Sequence, residues 1–311
     1  MGELRKDYVL DRYVIIATER AKRPHEFSKI EESVKEEKVC YFCPGSEKMT
    51  PEEIYRWPEK DWQIRVFPNK FAAVHPIGKS GITTDNDFFT YSDSYGNHEV
   101  LVETPEHGKT LWDLDEDRIS MVFKQFNSRI NENLKDPNIK YVSVFKNHGK
   151  NAGTSIQHSH CQIISYNLVP EIIRQKEEKV KLHQNCPYCS VLTIEKGSDR
   201  RCFENDSFVS FTPYASRFPL EAWIFPKRHV KKLDELSDDE FLDLSELLKK
   251  HLLKLKEINA DYNMNIQYGV ENMHLHIEIT PRLSTWAGFE ISTGTIINAM
   301  TPENAAEFYR A

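Results

Sequence analysis

The chain has 311 residues and a formal net charge of −7, from 41 basic and 48 acidic side chains. That length can bury two modest cores or one duplicated unit, and lysines dispersed among acids give no support to nucleic acid as the main partner. No apolar run is long enough to span a bilayer, and Met1-Gly2-Glu3-Leu4-Arg5-Lys6-Asp7 does not read as a secretory signal, so a cytoplasmic protein is expected.

Taken in chain order, the first feature is Cys40-Tyr41-Phe42-Cys43, a thiol pair on one turn. Residues 85–96 (DNDFFTYSDSYG) read as an aromatic, polar loop. Residues 98–104 (HEVLVET) read as a strand that leads into Thr104-Pro105-Glu106-His107. A helix is expected from about Leu114, because Ile119, Val122, Phe123, Phe126 and Ile130 recur at helical spacing. Residues 141–145 read as a strand. A loop rich in glycine, amide and hydroxyl groups follows, Asn147 to Ser155, and then His158-Ser159-His160-Cys161-Gln162. Residues 168–181 read as a charged helical connector.

The second half repeats this order. Cys186-Pro187-Tyr188-Cys189 is followed by a strand at residues 221–226 leading to His229. Then come a helix opened by the capping-box pattern Ser237–Glu240, a strand at residues 265–268, and His274-Leu275-His276. Two copies of one α+β unit account for the pattern, each an antiparallel sheet with a helix packed across it. The expected division is residues 1–175 and 176–311.

Six cysteines arranged as two C-x-x-C pairs, with Cys161 and Cys202 alone, suit metal binding better than disulfides in a reducing compartment. Tetrahedral zinc takes sulfur and imidazole. The repeat proposes two sites, Cys40, Cys43, His107 and His158, then Cys186, Cys189, His229 and His274. His276 stands as an alternative ligand to His274, and the second site admits a different metal. A closed set of four ligands makes the role structural. Taken singly, His107 and His229 would read as turn histidines; their matched places in two copies argue against that.

Residues two apart on a strand share a face, so His158, His160 and Gln162 are expected to point the same way. His158 would hold the metal, His160 would present a nucleophilic nitrogen to phosphorus, and Gln162 would offer an amide N–H to an anionic oxygen. The loop from Asn147 to Ser155 offers further donors for phosphate oxygens. Cys161 alternates away from that face and reads as core. Glu278 stands where the second copy would need a Gln, so that copy is expected to be non-catalytic.

Several segments together resemble the galactose-1-phosphate uridylyltransferase branch of the histidine-triad superfamily, over nearly the whole chain. They are Arg20-Ala21-Lys22-Arg23-Pro24, Val66-Phe67-Pro68-Asn69-Lys70-Phe71, Thr104 to Leu111, Phe145 to Gln162, Met273-His274-Leu275-His276 and Gly288-Phe289-Glu290. The resemblance implies a duplicated histidine-triad-like α+β fold working as a zinc-containing homodimer in galactose metabolism. The implied reaction is an exchange of UMP between UDP-glucose and galactose 1-phosphate through a uridylyl group on His160. Gln162 would stabilise the transferred phosphoryl group and Ser155 the β-phosphate or leaving group. Arg20 and Arg23 would hold phosphates, Asn69 and Asn147 the nucleotide side, and Glu290 the sugar hydroxyls. Ser159 stands where the family commonly has proline, and Phe289 where tyrosine is frequent. The second thiol pair is shared with relatives described as ADP-glucose phosphorylases, which transfer adenylyl groups to phosphate; adenylyl transfer from ADP-glucose to phosphate or another sugar phosphate is the alternative. A hydrolase is disfavoured because Ile163 and Ile164, not a third histidine, follow Gln162. A zinc-stapled nucleotide-binding module without chemistry is the alternative of another class.

Overall fold

The computed structural model describes residues 2–18, 20 and 39–311. These form two compact units. One comprises residues 39–146 and 156–171; the other comprises residues 2–18, 20, 147–155 and 172–311. The chain finally passes from one to the other between Glu171 and Ile172, near the division expected at residue 175. The first strands, however, do not stay with the first half. Tyr13–Ile16 pairs antiparallel with Glu3–Lys6 and parallel with Ile296–Asn298. Val14 and Ile16 share a small core with Ala215 and Ile296. A partner at the far end of the chain leaves no trace in local alternation, which is why the expected division misplaces these strands.

In the unit that carries His160, five strands pair antiparallel in the order Tyr55–Trp57, Ile64–Pro68, Gly96–Val102, His160–Tyr166, Tyr141–His148. In the other unit the order is Arg201–Glu204, Phe208–Phe211, Ala222–Pro226, His276–Pro281, Tyr262–Gln267. Numbered along the chain, both orders read 1-2-3-5-4. Each unit places its long helix between its third and fourth strands, Glu116–Asn133 in one and Asp238–Glu257 in the other. This is the duplication that the cysteine and histidine spacing implies.

Both helices begin where side-chain oxygens satisfy free backbone N–H groups. Asp115 accepts from the Arg118 N–H at 2.8 Å. Ser237 accepts from the Glu240 N–H at 3.2 Å, and the Glu240 carboxylate accepts from the Ser237 N–H at 2.8 Å, closing the expected capping box. The first helix buries Ile119, Val122, Phe123, Phe126 and Ile130, and the second Phe241, Leu244, Leu248, Leu252 and Leu255. A short antiparallel pair, Thr83–Thr84 with Thr90–Tyr91, begins just before the loop expected at residues 85–96 and leaves Phe88 and Phe89 exposed.

The connector forms a helix at Glu171–Lys181, but Lys176 and Glu177 turn inward. Lys176 Nζ lies 2.9 Å from Glu278 Oε1 and 3.0 Å from Gln267 Oε1. Its charge pattern describes a solvated helix; a buried carboxylate facing it makes it a structural plug.

Candidate active site

The strands of both His-x-His motifs begin at the second histidine, His160 and His276. His158 therefore lies outside the ladder. It does not share a strand face with His160 as alternation suggested, and its ring turns to the thiol pair. His158 Nδ1 is 3.6 Å from Cys40 Sγ and 3.5 Å from Cys43 Sγ, and His107 Nδ1 is 3.5 Å from Cys43 Sγ. An ion with Zn–S of about 2.3 Å and Zn–N of about 2.0–2.1 Å in tetrahedral geometry requires S···N edges of about 3.5 Å. The cluster fits. His158 Nε2 donates to the Thr104 carbonyl at 2.7 Å, which fixes the tautomer and leaves Nδ1 as the ligand atom. Burial and the neighbouring Cys40 thiol push Cys43 up to about 11, and a cation at the centre would reverse that by favouring the thiolate.

The second cluster repeats the arrangement. Cys189 Sγ is 3.3 Å from His229 Nδ1 and 3.6 Å from His274 Nδ1, and Cys186 completes the set. His274, not His276, enters this cluster. Among the described residues, the two expected ligand sets are thus the two groups able to hold a metal ion.

His160 is 7 % exposed, and its ring meets Phe42 edge-on at 5.3 Å. Its Nδ1 lies 2.8 Å from the His158 carbonyl oxygen. A carbonyl can only accept, so Nδ1 carries the proton and Nε2 is left as the basic nitrogen. The metal-proposed histidine thus orients the nucleophile through its backbone carbonyl, while its own ring is committed to the thiols. Burial, which outweighs the hydrogen bond to His158, lowers the His160 pKa and keeps the ring neutral.

Gln162 follows on the same strand face. Its Oε1 is 2.8 Å from His98 Nε2 on the neighbouring strand. Asn69 places its backbone N–H on the His98 carbonyl at 2.7 Å and its Nδ2 3.1 Å from the same ring nitrogen. The structure therefore gathers Asn69, His98 and Gln162 into one polar group. His98 was read from sequence only as part of a strand. Its functional signal is register: it stands opposite Ile164, while Val100 faces Gln162 and Val102 faces His160.

Behind the strand, Lys146 Nζ donates to Glu103 Oε1 at 2.5 Å, to Ser159 Oγ at 2.8 Å and to the His160 carbonyl at 3.3 Å. Ser159 Oγ also donates to Glu103, and the Cys161 thiol donates to Glu103 Oε2 at 3.0 Å. Burial opposes the charge on Glu103, but the Lys146 ammonium and these donors hold it below the usual carboxylate range. Cys161 is buried, as expected, yet among polar groups rather than in an apolar core. Ser159, the departure from proline, supplies a hydroxyl that this network uses.

Of the remaining expected substrate residues, Asn147, Ser155, Arg20 and Glu290 lie in the other unit. In the loop Asn147–Ser155, Asn147 Oδ1 accepts from Asn263 Nδ2 at 2.8 Å, and the Asn151 N–H reaches Asp261 Oδ2 at 2.8 Å. Gly149 has φ of 84°, and a Cβ there would run into the Asp261 carboxylate. The loop is therefore built rather than loose, with Ser155 exposed at its end. Arg20 and Glu290 line one small pocket with Ser284, Thr285 and Trp286. Glu290 also caps its own helix, accepting the Ala287 N–H at 2.9 Å. Arg23 lies outside the described residues.

Comparison with known proteins gives the family of the chain. A family profile described as "Galactose-1-phosphate uridyl transferase, N-terminal domain" matches residues 2–170, and one described as a domain of unknown function (DUF4921) matches residues 115–308. An ADP-glucose phosphorylase of Arabidopsis thaliana is 33 % identical, with 99 % of this chain and 92 % of that protein aligned. A galactose-1-phosphate uridylyltransferase of Thermotoga maritima is 29 % identical over 100 % of this chain and 98 % of the relative. The crystal structure of an Arabidopsis thaliana ADP-glucose phosphorylase with bound ADP-glucose superposes with a TM-score of 0.85 at 32 % identity, covering 100 % of this chain and 99 % of that one. Fold and site together place the chain among nucleotidyltransferases that act on sugar phosphates. It belongs to the galactose-1-phosphate uridylyltransferase and ADP-glucose phosphorylase family, with the family's histidine-triad-like architecture. Among the described residues no helix is long and apolar enough to cross a membrane.

Proposed function

We propose that the protein transfers an adenylyl group from ADP-glucose to phosphate through a covalent adenylyl-His160, releasing glucose 1-phosphate and then ADP. The observation that carries the chemistry is the Nδ1 contact of His160 to the His158 carbonyl, which leaves Nε2 as a neutral nucleophile. In the first half-reaction the Nε2 lone pair forms a bond to the α-phosphorus, and the bond from that phosphorus to the bridging oxygen breaks. Glucose 1-phosphate leaves with the electron pair and needs no proton from the protein. The ring becomes cationic, and its Nδ1–H bond to the His158 carbonyl strengthens as charge develops. In the second half-reaction a phosphate oxygen attacks the same phosphorus, the P–N bond breaks, and His160 returns to its neutral form.

Gln162 supplies an amide N–H to a phosphoryl oxygen. It cannot act as an acid, which suits transfer between good leaving groups rather than hydrolysis. Ser155, Asn147, Asn69, Arg20 and Arg23 are assigned to phosphate and nucleotide contacts, and Glu290 to the sugar. The small pocket shared by Arg20 and Glu290, with Ser284 and Thr285 beside them, supports a sugar phosphate there. Zinc in both clusters would fix the loops around the strands. A homodimer in the cytoplasm completes the reading.

Adenylyl is preferred to uridylyl because the Arabidopsis relative exceeds the Thermotoga one in identity, and its solved structure holds ADP-glucose. The test is intact-protein mass spectrometry after brief mixing with ADP-glucose and, separately, UDP-glucose. The expected result is a mass gain of one adenylyl group that phosphate discharges as ADP. An adduct formed only with UDP-glucose and discharged by galactose 1-phosphate restores the uridylyl reading. No adduct with either donor overturns covalent transfer.

A further inference from the structure

We infer that His98 is a positioning residue that locks the side-chain amide of Gln162 in its productive orientation. The inference rests on the proposed roles of His160 and Gln162 and adds a residue to them. A glutamine amide presents either oxygen or nitrogen after a half-turn, and the two are nearly equal in shape. Only one orientation serves phosphoryl transfer. With the NH₂ group toward the substrate it donates to a phosphoryl oxygen; with Oε1 there, two partially negative oxygens face each other. Something in the protein has to decide between them.

The contacts of His98 decide it. The Ala73 N–H donates to His98 Nδ1 at 3.1 Å, so Nδ1 bears the lone pair and Nε2 bears the proton. That proton has two neighbours, Gln162 Oε1 at 2.8 Å and Asn69 Nδ2 at 3.1 Å. Asn69 does not accept it, because the Phe71 N–H holds Oδ1 at 2.9 Å and so turns Nδ2, a donor, toward the ring. The His98 proton therefore goes to Gln162 Oε1, and the Gln162 NH₂ is turned away from His98. Gln162 and His160 share one face of the strand His160–Tyr166, two residues apart. His98 stays neutral in this arrangement, since burial outweighs the Gln162 contact and lowers its pKa. A backbone N–H on the adjacent segment thus sets a ring tautomer, the tautomer sets an amide, and the amide meets the transferred group.

The chain of contacts predicts an asymmetry between two amide replacements. In His98→Gln the new side chain reaches about as far as the lost Nε2 and can still donate to Gln162, although the Ala73 N–H loses its acceptor. In His98→Asn an acceptor for Ala73 is kept and the reach to Gln162 is lost. The experiment is rapid-quench formation of the nucleotidyl adduct with ADP-glucose, and with UDP-glucose if that proves the donor, in wild type, His98→Asn, His98→Gln and Gln162→Ala. His98→Asn should slow adduct formation about tenfold to a hundredfold with little change in donor affinity, and His98→Gln should recover most of the rate. In a Gln162→Ala background His98→Asn should add almost nothing, because its effect runs through the missing amide.

A wild-type protein that forms no adduct would fail the underlying reading and not only this inference. A wild-type adduct with His98→Asn at full rate overturns the inference alone. Equal losses in the presence and absence of Gln162 also overturn it. Should His98→Asn fail to fold, ¹⁵N spectra of the wild-type histidines decide: a protonated Nε2 on His98 is required, and a protonated Nδ1 is fatal.

Discussion

The two His-x-His strands carry one device with opposite outcomes. His160 Nδ1 meets the His158 carbonyl at 2.8 Å, and His276 Nδ1 meets the His274 carbonyl at 2.9 Å. Both rings are thus set in the same tautomer beside a cluster of two thiols and two imidazoles. What differs is the surroundings of Nε2. His276 is 0 % exposed, stacked on Phe225 at 4.5 Å and flanked by Tyr188 and Trp223. Its Nε2 faces Glu278 Oε1 at 3.4 Å, in the place that Gln162 takes in the other copy. Glu278 is held in turn by Lys176 at 2.9 Å and by Arg217 at 2.7 Å. Both copies hold the same tautomer lock, and around His276 an aromatic stack and a buried ionic network enclose Nε2. Histidine spacing alone therefore does not define a nucleophile; the residue two places on and the space before the ring do.

The sharpest break between the copies is catalytic. His160→Ala should abolish the nucleotidyl adduct and lower turnover by at least about 10⁴-fold, as loss of a covalent nucleophile does. Persistence of a labelled adduct in that variant would move the nucleophile elsewhere. The metal clusters sharpen the comparison next. Cys43→Ser and Cys189→Ser should each lower metal content by one ion per chain on elemental analysis and cost at least about 3 kcal/mol of stability. Only Cys43→Ser should also slow adduct formation, because the His158 carbonyl orients His160. Equal activity losses in the two variants would argue that both clusters serve one site.

Much of this was legible in the sequence because it rests on spacing. The two thiol pairs, the four histidines that join them and the repeated strand–helix–strand order could be read from position, and apolar periodicity in the first long helix and the capping box of the second marked those elements. What was not legible depends on pairing register and on contacts distant in sequence. His98 looks like any residue in an alternating strand until Val100 is placed opposite Gln162. Lys176 looks solvated until Glu278 is placed beside it. Alternation along His158 to Gln162 also assumed a strand that began two residues too early, and so placed the His158 ring on the face of His160, which the His158 carbonyl meets instead. The N-terminal strands find their partner in Ile296–Asn298, and no local pattern announces that.

The ionic plug of the closed copy gives a smaller effect with a definite sign. Burial disfavours the Glu278 carboxylate, but Lys176 and Arg217 overcome that and hold its pKa well below the ordinary value. A carboxylate depressed in the folded state contributes stability that is complete above its unfolded pKa, about 4.3, and is lost as pH falls through the folded value. Lys176→Met leaves Glu278 buried with one cation fewer. Stability at neutral pH should fall by about 3 kcal/mol, and the acid-unfolding midpoint should move to higher pH. Pairing it with Glu278→Gln should recover part of the loss, since no uncompensated charge then remains. An unchanged acid midpoint in Lys176→Met would show that Arg217 alone holds the carboxylate.

The smallest expected effect is the most direct check that the second histidine is inert. In His276→Phe the stack on Phe225 is retained and the ring fills nearly the same space. The variant loses the Nδ1 hydrogen bond to the His274 carbonyl and the 3.4 Å approach to Glu278. Leaving that buried carbonyl without its donor should cost about 1–2 kcal/mol in thermal or denaturant unfolding. Adduct formation should stay within about twofold of wild type, because no step in the transfer uses a nitrogen sealed between aromatic rings and a carboxylate already paired with lysine and arginine. A hundredfold loss of adduct with the stability change still small would mean that the closed copy takes part in the chemistry, and the division of labour between the two strands would have to be redrawn.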